Sequence, residues 1–120
     1  VFVTERCLDT DYQVFTKMLR AEGSIDKLEY DLYECWFSQL KSSSTQLSAI
    51  VHVDTSPDLC AERIVKRGRD GEEYIPIEYL QALDKYQRDW VTCGDVPFVQ
   101  TDTSGVEDVR NFVNSLLGGK

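Results

Sequence analysis

Cys60-Ala61-Glu62-Arg63-Ile64-Val65-Lys66-Arg67-Gly68-Arg69-Asp70-Gly71-Glu72-Glu73-Tyr74-Ile75-Pro76 opens as a helix and closes as a loop. Ser56 suits the N-cap, Pro57 the first helical position and Asp58 the first turn. Arg63 and Arg67 are four residues apart and share a helix face, with Lys66 beside them. Gly68 is expected to end the helix, Arg69 follows in the loop, and Glu72 and Glu73 precede Ile75-Pro76. Four cations thus face an acidic pair across a glycine-bounded loop. That pattern suits a flap closing on phosphates, because guanidinium forks match phosphoryl oxygens in a bidentate way. A solvated basic helix end, favoured by the helix dipole, would leave the same pattern.

The flanking chain arbitrates. At 120 residues it offers one domain or part of one. Hydrophobic content of 42% and charged content of 28% are those of an ordinary globular protein. No apolar run approaches the ~18 residues that a membrane span needs. A net charge of -8 argues against a nucleic-acid polymer as partner, since phosphates would be repelled. Cys7, Cys35, Cys60 and Cys93 are irregularly spaced without a Cys-x-x-Cys, and His52 is the only histidine. A zinc site or Cys-His nucleophile is poorly supported, and buried free thiols in a reducing compartment are expected. His52 lies within an apolar run and is expected to be a satisfied structural side chain.

Residues 1–4, Val-Phe-Val-Thr, read as a buried strand, and Glu5-Arg6-Cys7 follow at its C-terminal end, where α/β sheets form ligand crevices. Val14, Phe15, Met18 and Leu19 give residues 10–22 a helical stripe, broken by Gly23-Ser24. A second helix is expected over 25–40, with Leu28, Leu32, Cys35, Trp36 and Leu40 on one side. Residues 47–53 form a second strand, Pro76 opens a helix to about Cys93, and residues 96–100 form a third strand. A last helix spans about 106–117, and Gly118-Gly119-Lys120 is a frayed tail. Strands alternating with helices indicate a parallel α/β sheet with crossovers. The start at Val1, inside a strand pattern, with Met18 the only methionine, suits a piece of something longer.

Three ordered motifs now resemble one family. Glu5-Arg6-x-x-x-x-Asp11 followed by Phe15 is similar to the Glu-Arg-Ser segment and following helix of deoxynucleoside kinases. Arg63-x-x-x-Arg67-Gly68-Arg69, then Glu72-Glu73-x-Ile75-Pro76-x-Glu78-Tyr79-Leu80, resembles that family's lid. Leu28-x-Tyr30-x-x-Tyr33-x-x-Trp36 fits its intervening helix, and Val96-Pro97 through Asp102 its last strand and adenine loop. Asp11 points to the deoxycytidine- and deoxyguanosine-preferring branches.

The resemblance implies a parallel-sheet three-layer sandwich of the P-loop kinase type, truncated, with three strands, about five helices and the P-loop strand missing. Residues 1–120 would be the C-terminal part of a single kinase domain. The parent protein would be an ATP-dependent, magnesium-dependent deoxynucleoside kinase and a homodimer, with no membrane partner. Arg6 would sit near the 5′-hydroxyl and steady the transferring phosphate, and Glu5 would hold magnesium through water. Asp11 would read the base edge and Phe15 stack on the base. Arg63, Arg67 and Arg69 would gather round the ATP phosphates, Arg67 with a catalytic part. Glu72, or Glu73, would bind the sugar 3′-hydroxyl, and Asp102, Thr103 and Ser104 would line the adenine pocket.

The chain departs from the family pattern in places. Cys7 replaces the serine of Glu-Arg-Ser, and Gly71 stands where the first lid glutamate is usual. No Gly-x-x-x-x-Gly-Lys-Ser/Thr occurs, and the resemblance implies that the family's catalytic carboxylate would lie upstream of Val1. The 120 residues alone are therefore expected to be inactive. Two alternatives stand beside this: a non-catalytic nucleotide-binding or partner-docking module derived from a kinase, and a nucleoside-monophosphate kinase.

Overall fold

The structure, a computed structural model, describes residues 2–72 and 74–118. Val1, Glu73, Gly119 and Lys120, and the expectations placed on them, lie outside the described residues. The chain divides into two compact units: residues 1–46 with 81–93, and residues 47–80 with 94–120.

In the second unit the 60–76 stretch behaves as its residues dictate. Ser56 Oγ accepts from the Leu59 N–H at 3.3 Å, Pro57 begins the helix Pro57–Arg67, and Gly68 ends it with φ 60° and ψ 43°. That left-handed conformation lets the Gly68 N–H reach the Ile64 carbonyl at 3.1 Å. A Cβ at Gly68 would meet nothing closer than the Val65 carbonyl, at 3.9 Å. The cost of Gly68→Ala is therefore conformational, and a loss of about 1–2 kcal/mol is expected in urea unfolding.

Strands β1 (Ile50–Val53) and β2 (Phe98–Thr101) pair in parallel, from Ile50 opposite Phe98 to Val53 opposite Thr101. The Pro97 carbonyl accepts from the Ile50 N–H at 2.9 Å, and the Thr101 carbonyl from the Asp54 N–H at 2.7 Å. Pro97 has no N–H to give, so β2 starts after it, later than the expected 96–100. β1 is likewise shorter than the expected 47–53. Both strands point their C-terminal ends the same way, so Asp54–Ser56 and Asp102–Gly105 leave the same end of the sheet. The helix Val106–Gly118 follows.

In the first unit, the leading helix changes register twice. Leu8–Thr10 is α, Asp11–Thr16 is a π-helix, and Lys17–Ala21 is α again. The helix Lys27–Ser43 starts two residues later than expected because Asp26 caps it. Asp26 Oδ1 accepts from the Glu29 N–H at 2.8 Å, while Glu29 Oε2 accepts from the Asp26 N–H at 2.9 Å. The Lys41 ammonium ties the two helices together, 2.6 Å from Asp9 Oδ2. Tyr12 stacks on Phe37 with centroids 4.3 Å apart. Val14 and Met18, on the predicted stripe, are fully buried. The helix Ile77–Cys93 starts in the second unit and enters the first at Gln81, where it buries Val91.

Several expectations are corrected. Two strands, not three, form among the described residues. Residues 2–4 are not a strand: Phe2 and Val3 are exposed, and their backbone has no ladder to join. The four thiols are free but none is buried, Cys35 and Cys93 being exposed. His52 is buried as expected but not satisfied, for its Nε2 has no hydrogen-bond partner among the described residues. The face Leu28, Leu32, Trp36 and Leu40 is 49–66% exposed rather than packed. No helix among the described residues is long and apolar enough to cross a membrane.

Candidate functional site

Arg6, Cys7, Asp11 and Phe15 line one cavity of about 310 Å³ in the first unit. Helix entry explains the convergence. Cys7 has an extended backbone, with φ -145° and ψ 177°, and precedes the helix as its N-cap. Its Sγ lies 3.5 Å from Thr10 Oγ1 and its carbonyl accepts from the Asp11 N–H at 3.2 Å. Arg6 is thereby left outside the helix, and its guanidinium lies 4.9 Å over the Phe15 ring. Asp11 and Phe15 are the first and fifth residues of the π segment. Such segments widen a helix locally and recur at functional sites. Glu5, next to Arg6, is exposed.

Behind this cavity stands an aromatic cluster that the residue patterns did not flag as functional. The Tyr33 hydroxyl donates to Asp11 Oδ2. Desolvation raises the Tyr33 phenol, and the Asp11 hydrogen bond raises it further, against an opposing bond from Thr16. The Tyr12 hydroxyl donates to Glu34 Oε1 at 2.6 Å. This bond, a second to Tyr30, and desolvation push the Tyr12 phenol well above its ordinary range. Tyr12 and Tyr33 lie parallel, 6.2 Å between centroids and 3° between planes. The signal was present in Leu28-x-Tyr30-x-x-Tyr33-x-x-Trp36, whose tyrosines sit three apart on one side of the helix.

The second unit holds the flap. Arg67 Nε and Nη2 both donate to Glu72 Oε2, at 3.0 and 2.5 Å. Arg69 Nη1 lies 3.9 Å from Glu72 Oε1. Gly71, with φ 87°, and the bond from the Glu72 N–H to the Arg69 carbonyl at 3.2 Å fold the loop back to make this possible. The acid expected on the sugar and a cation expected on phosphate are joined to each other. Arg63 and Lys66 are exposed on the helix. A separate open cavity of about 620 Å³, lined by Asp58, Ala61, Glu62, Val65, Lys66 and Ile77, includes none of the predicted site residues.

At the end of β2, Asp102 Oδ1 accepts from the Ser104 N–H at 2.7 Å and from Ser104 Oγ at 2.6 Å. The Ser104 side-chain bond, then its backbone bond, hold the Asp102 carboxyl below the usual range. The turn 102–105 is thus pre-shaped by its own side chains, with Thr103 exposed at its tip. Among the described residues no group of three or more His, Cys, Asp or Glu could hold a metal ion.

Comparison with known proteins points the same way. The family model described as "Deoxynucleoside kinase" matches residues 1–116. Deoxycytidine kinase 2 of Gallus gallus is 37% identical over 90 residues, covering 72% of this chain and 34% of that protein. Putative kinase protein 029R of Invertebrate iridescent virus 3 is 34% identical over 118 residues, covering 98% of this chain and 59% of that protein. Among solved structures, deoxyadenosine kinase from M. mycoides with bound dCTP superposes with a TM-score of 0.76 at 23% identity. That match covers 88% of this chain and 60% of the other, and it concerns the fold. The chain spans between a third and three-fifths of the length of these curated relatives.

Proposed function

Because this chain belongs to the deoxynucleoside kinase family, transferases of P-loop kinase fold, we propose that the protein carrying it moves the γ-phosphate of ATP to the 5′-hydroxyl of a deoxynucleoside. The convergence of Arg6, Asp11 and Phe15 on one cavity supports this reading most directly. A carboxylate accepts from base N–H groups, an aromatic face stacks on the base, and a guanidinium steadies phosphoryl oxygens. Those are the three needs of a nucleoside at the acceptor position. In the reaction the 5′-oxygen attacks the γ-phosphorus, ADP leaves, and the hydroxyl proton passes to a base. Catalysis then rests on positioning and charge stabilisation.

Each residue takes one part. Asp11 holds the base edge, Phe15 stacks, and Arg6 spans the 5′-oxygen and the transferring group. Arg63, Arg67 and Arg69 gather the ATP phosphates when the flap closes, which requires Arg67 to leave Glu72. Glu72 is then free for the sugar 3′-hydroxyl. Asp102, Thr103 and Ser104 shape the adenine pocket. Magnesium, when bound, neutralises phosphate oxygens. It needs only one or two carboxylates besides phosphate and water, so the exposed carboxylate of Glu5 suits it, through water. The Gly-x-x-x-x-Gly-Lys-Ser/Thr loop and the proton-accepting carboxylate are assigned to none of these 120 residues, which form part of one kinase domain. The 120-residue chain alone is expected not to turn over.

The complete protein is proposed to be a homodimer. Leu28, Leu32, Trp36 and Leu40 recur every four residues and stay exposed, giving the helix Lys27–Ser43 an apolar stripe for a second copy. Trp36, at 65% exposure, would be its largest anchor. Trp36→Glu should weaken self-association by about thirtyfold or more, since a central tryptophan typically contributes about 2 kcal/mol. Sedimentation velocity over a dilution series checks this. The same stripe favours one second reading, a kinase-derived module that docks on a different protein. Equilibrium binding separates the readings. Deoxynucleoside should quench the complete protein's fluorescence at lower concentration than the corresponding monophosphate. Preference for the monophosphate would indicate a nucleoside-monophosphate kinase, and binding of neither the docking module.

A further inference from the structure

Asp11 is exposed at the cavity, yet its carboxylate is not free to turn. Among the described residues its one side-chain hydrogen bond comes from the Tyr33 hydroxyl, on the neighbouring helix, at Oδ2. The polarity of that bond is fixed. An ionised carboxylate can only accept, so the Tyr33 proton is directed to Asp11. Thr16 is buried and ends the π segment that Asp11 begins, five residues away, the spacing at which a π turn closes. The Tyr33 ring is itself aligned with Tyr12, which stacks on Phe37 and bonds Glu34. Tyr33, with its ring held in that stack, and Asp11 therefore form a directed contact that ends at the cavity.

We propose that Tyr33 is a positioning residue that sets base selection by engaging Asp11 Oδ2 and leaving Oδ1 as the acceptor facing the base. The inference rests on the nucleoside-kinase reading above. A single oriented carboxylate oxygen accepts from an exocyclic amino group, as at C4 of cytosine or C6 of adenine. A base with a carbonyl at that position sets lone pair against lone pair and is rejected. A freely rotating Asp11 would spread its acceptors over several directions and discriminate less.

Tyr33→Phe tests this, because it keeps the ring and removes only the hydroxyl. In the complete protein the ratio of kcat/KM for deoxycytidine over thymidine should fall about five- to tenfold, the scale of one hydrogen bond, mostly through a higher KM for deoxycytidine. A merely structural role would lower both substrates together. A second readout needs no nucleoside and no change at Tyr33. In Asp11→Asn, one tyrosine followed by carbon NMR of its phenol should titrate lower than in the parent, because the charge that favours the neutral phenol is gone. If Tyr33→Phe does not fold, that titration decides alone. An unchanged selectivity ratio in a folded Tyr33→Phe overturns the role of Tyr33, and unchanged titration in Asp11→Asn overturns the contact. A parent protein that binds no nucleoside although the titration moves overturns the kinase reading, and the inference with it.

Discussion

Arg6→Ala in the complete protein should lower kcat by about 10³ or more, or about 4 kcal/mol of barrier. An arginine on a transferring phosphoryl group stabilises charge that spreads over the equatorial oxygens, and it does so most in the transition state. The same side chain also packs over Phe15 at 4.9 Å, which raises a competing explanation. Magnitude decides between them. A partly exposed cation–π contact contributes about 0.5–1 kcal/mol, too little for a thousandfold loss. Stability should consequently change little while turnover collapses. Arg6→Lys should restore only part of the rate, because an ammonium cannot reproduce the planar fork. Initial rates at saturating ATP and deoxynucleoside, with thermal melts as control, distinguish the two effects.

Gly105→Ala should destabilise by about 3 kcal/mol, near the upper end of what overpacking costs, and by more than the same change at Gly23, Gly68, Gly71 or Gly118. A Cβ there would lie 1.5 Å from Thr101 Oγ1, 2.9 Å from Thr101 Cβ and 3.1 Å from Asp108 Oδ2. Thr101 is 7% exposed and paired with Val53 in the sheet, so it has little room to withdraw. The contrast with Gly68→Ala is one of mechanism, since Gly68 has open space and a left-handed backbone. Thr101→Ala combined with Gly105→Ala should recover part of the loss, because the 1.5 Å clash goes and the 2.9 Å one stays. Urea midpoints for the parent, both single variants and the double variant measure this non-additivity.

Much of this was legible in the residues because it is local. Ser56, Pro57 and Gly68 each act within one turn, and they fix the helix Pro57–Arg67 at both ends. The spacing of Val14 and Met18 found the buried face of the first helix. Arg6, Asp11 and Phe15 were singled out by likeness to a motif, and the structure brings them to one cavity. What was missed depends on partners distant in sequence or on small energy differences. A π register differs from an α register by one residue in each hydrogen bond, and side-chain periodicity does not resolve that. Val-Phe-Val-Thr has strand composition, but a strand is made by its neighbour. The Tyr33 bond to Asp11 joins residues 22 apart on two helices, and the pattern of either helix alone says nothing of it. Arg67 and Glu72 were assigned to two different ligands, whereas without ligand opposite charges five residues apart satisfy each other.

The decisive measurement is transfer of label from γ-labelled ATP to deoxycytidine by the complete protein, with the product identified by chromatography. Label appearing as deoxycytidine 5′-monophosphate, and lost in Arg6→Ala, is the predicted result. No labelled monophosphate from deoxycytidine or from any other deoxynucleoside, under conditions in which the protein is folded and ATP is in excess, would contradict it.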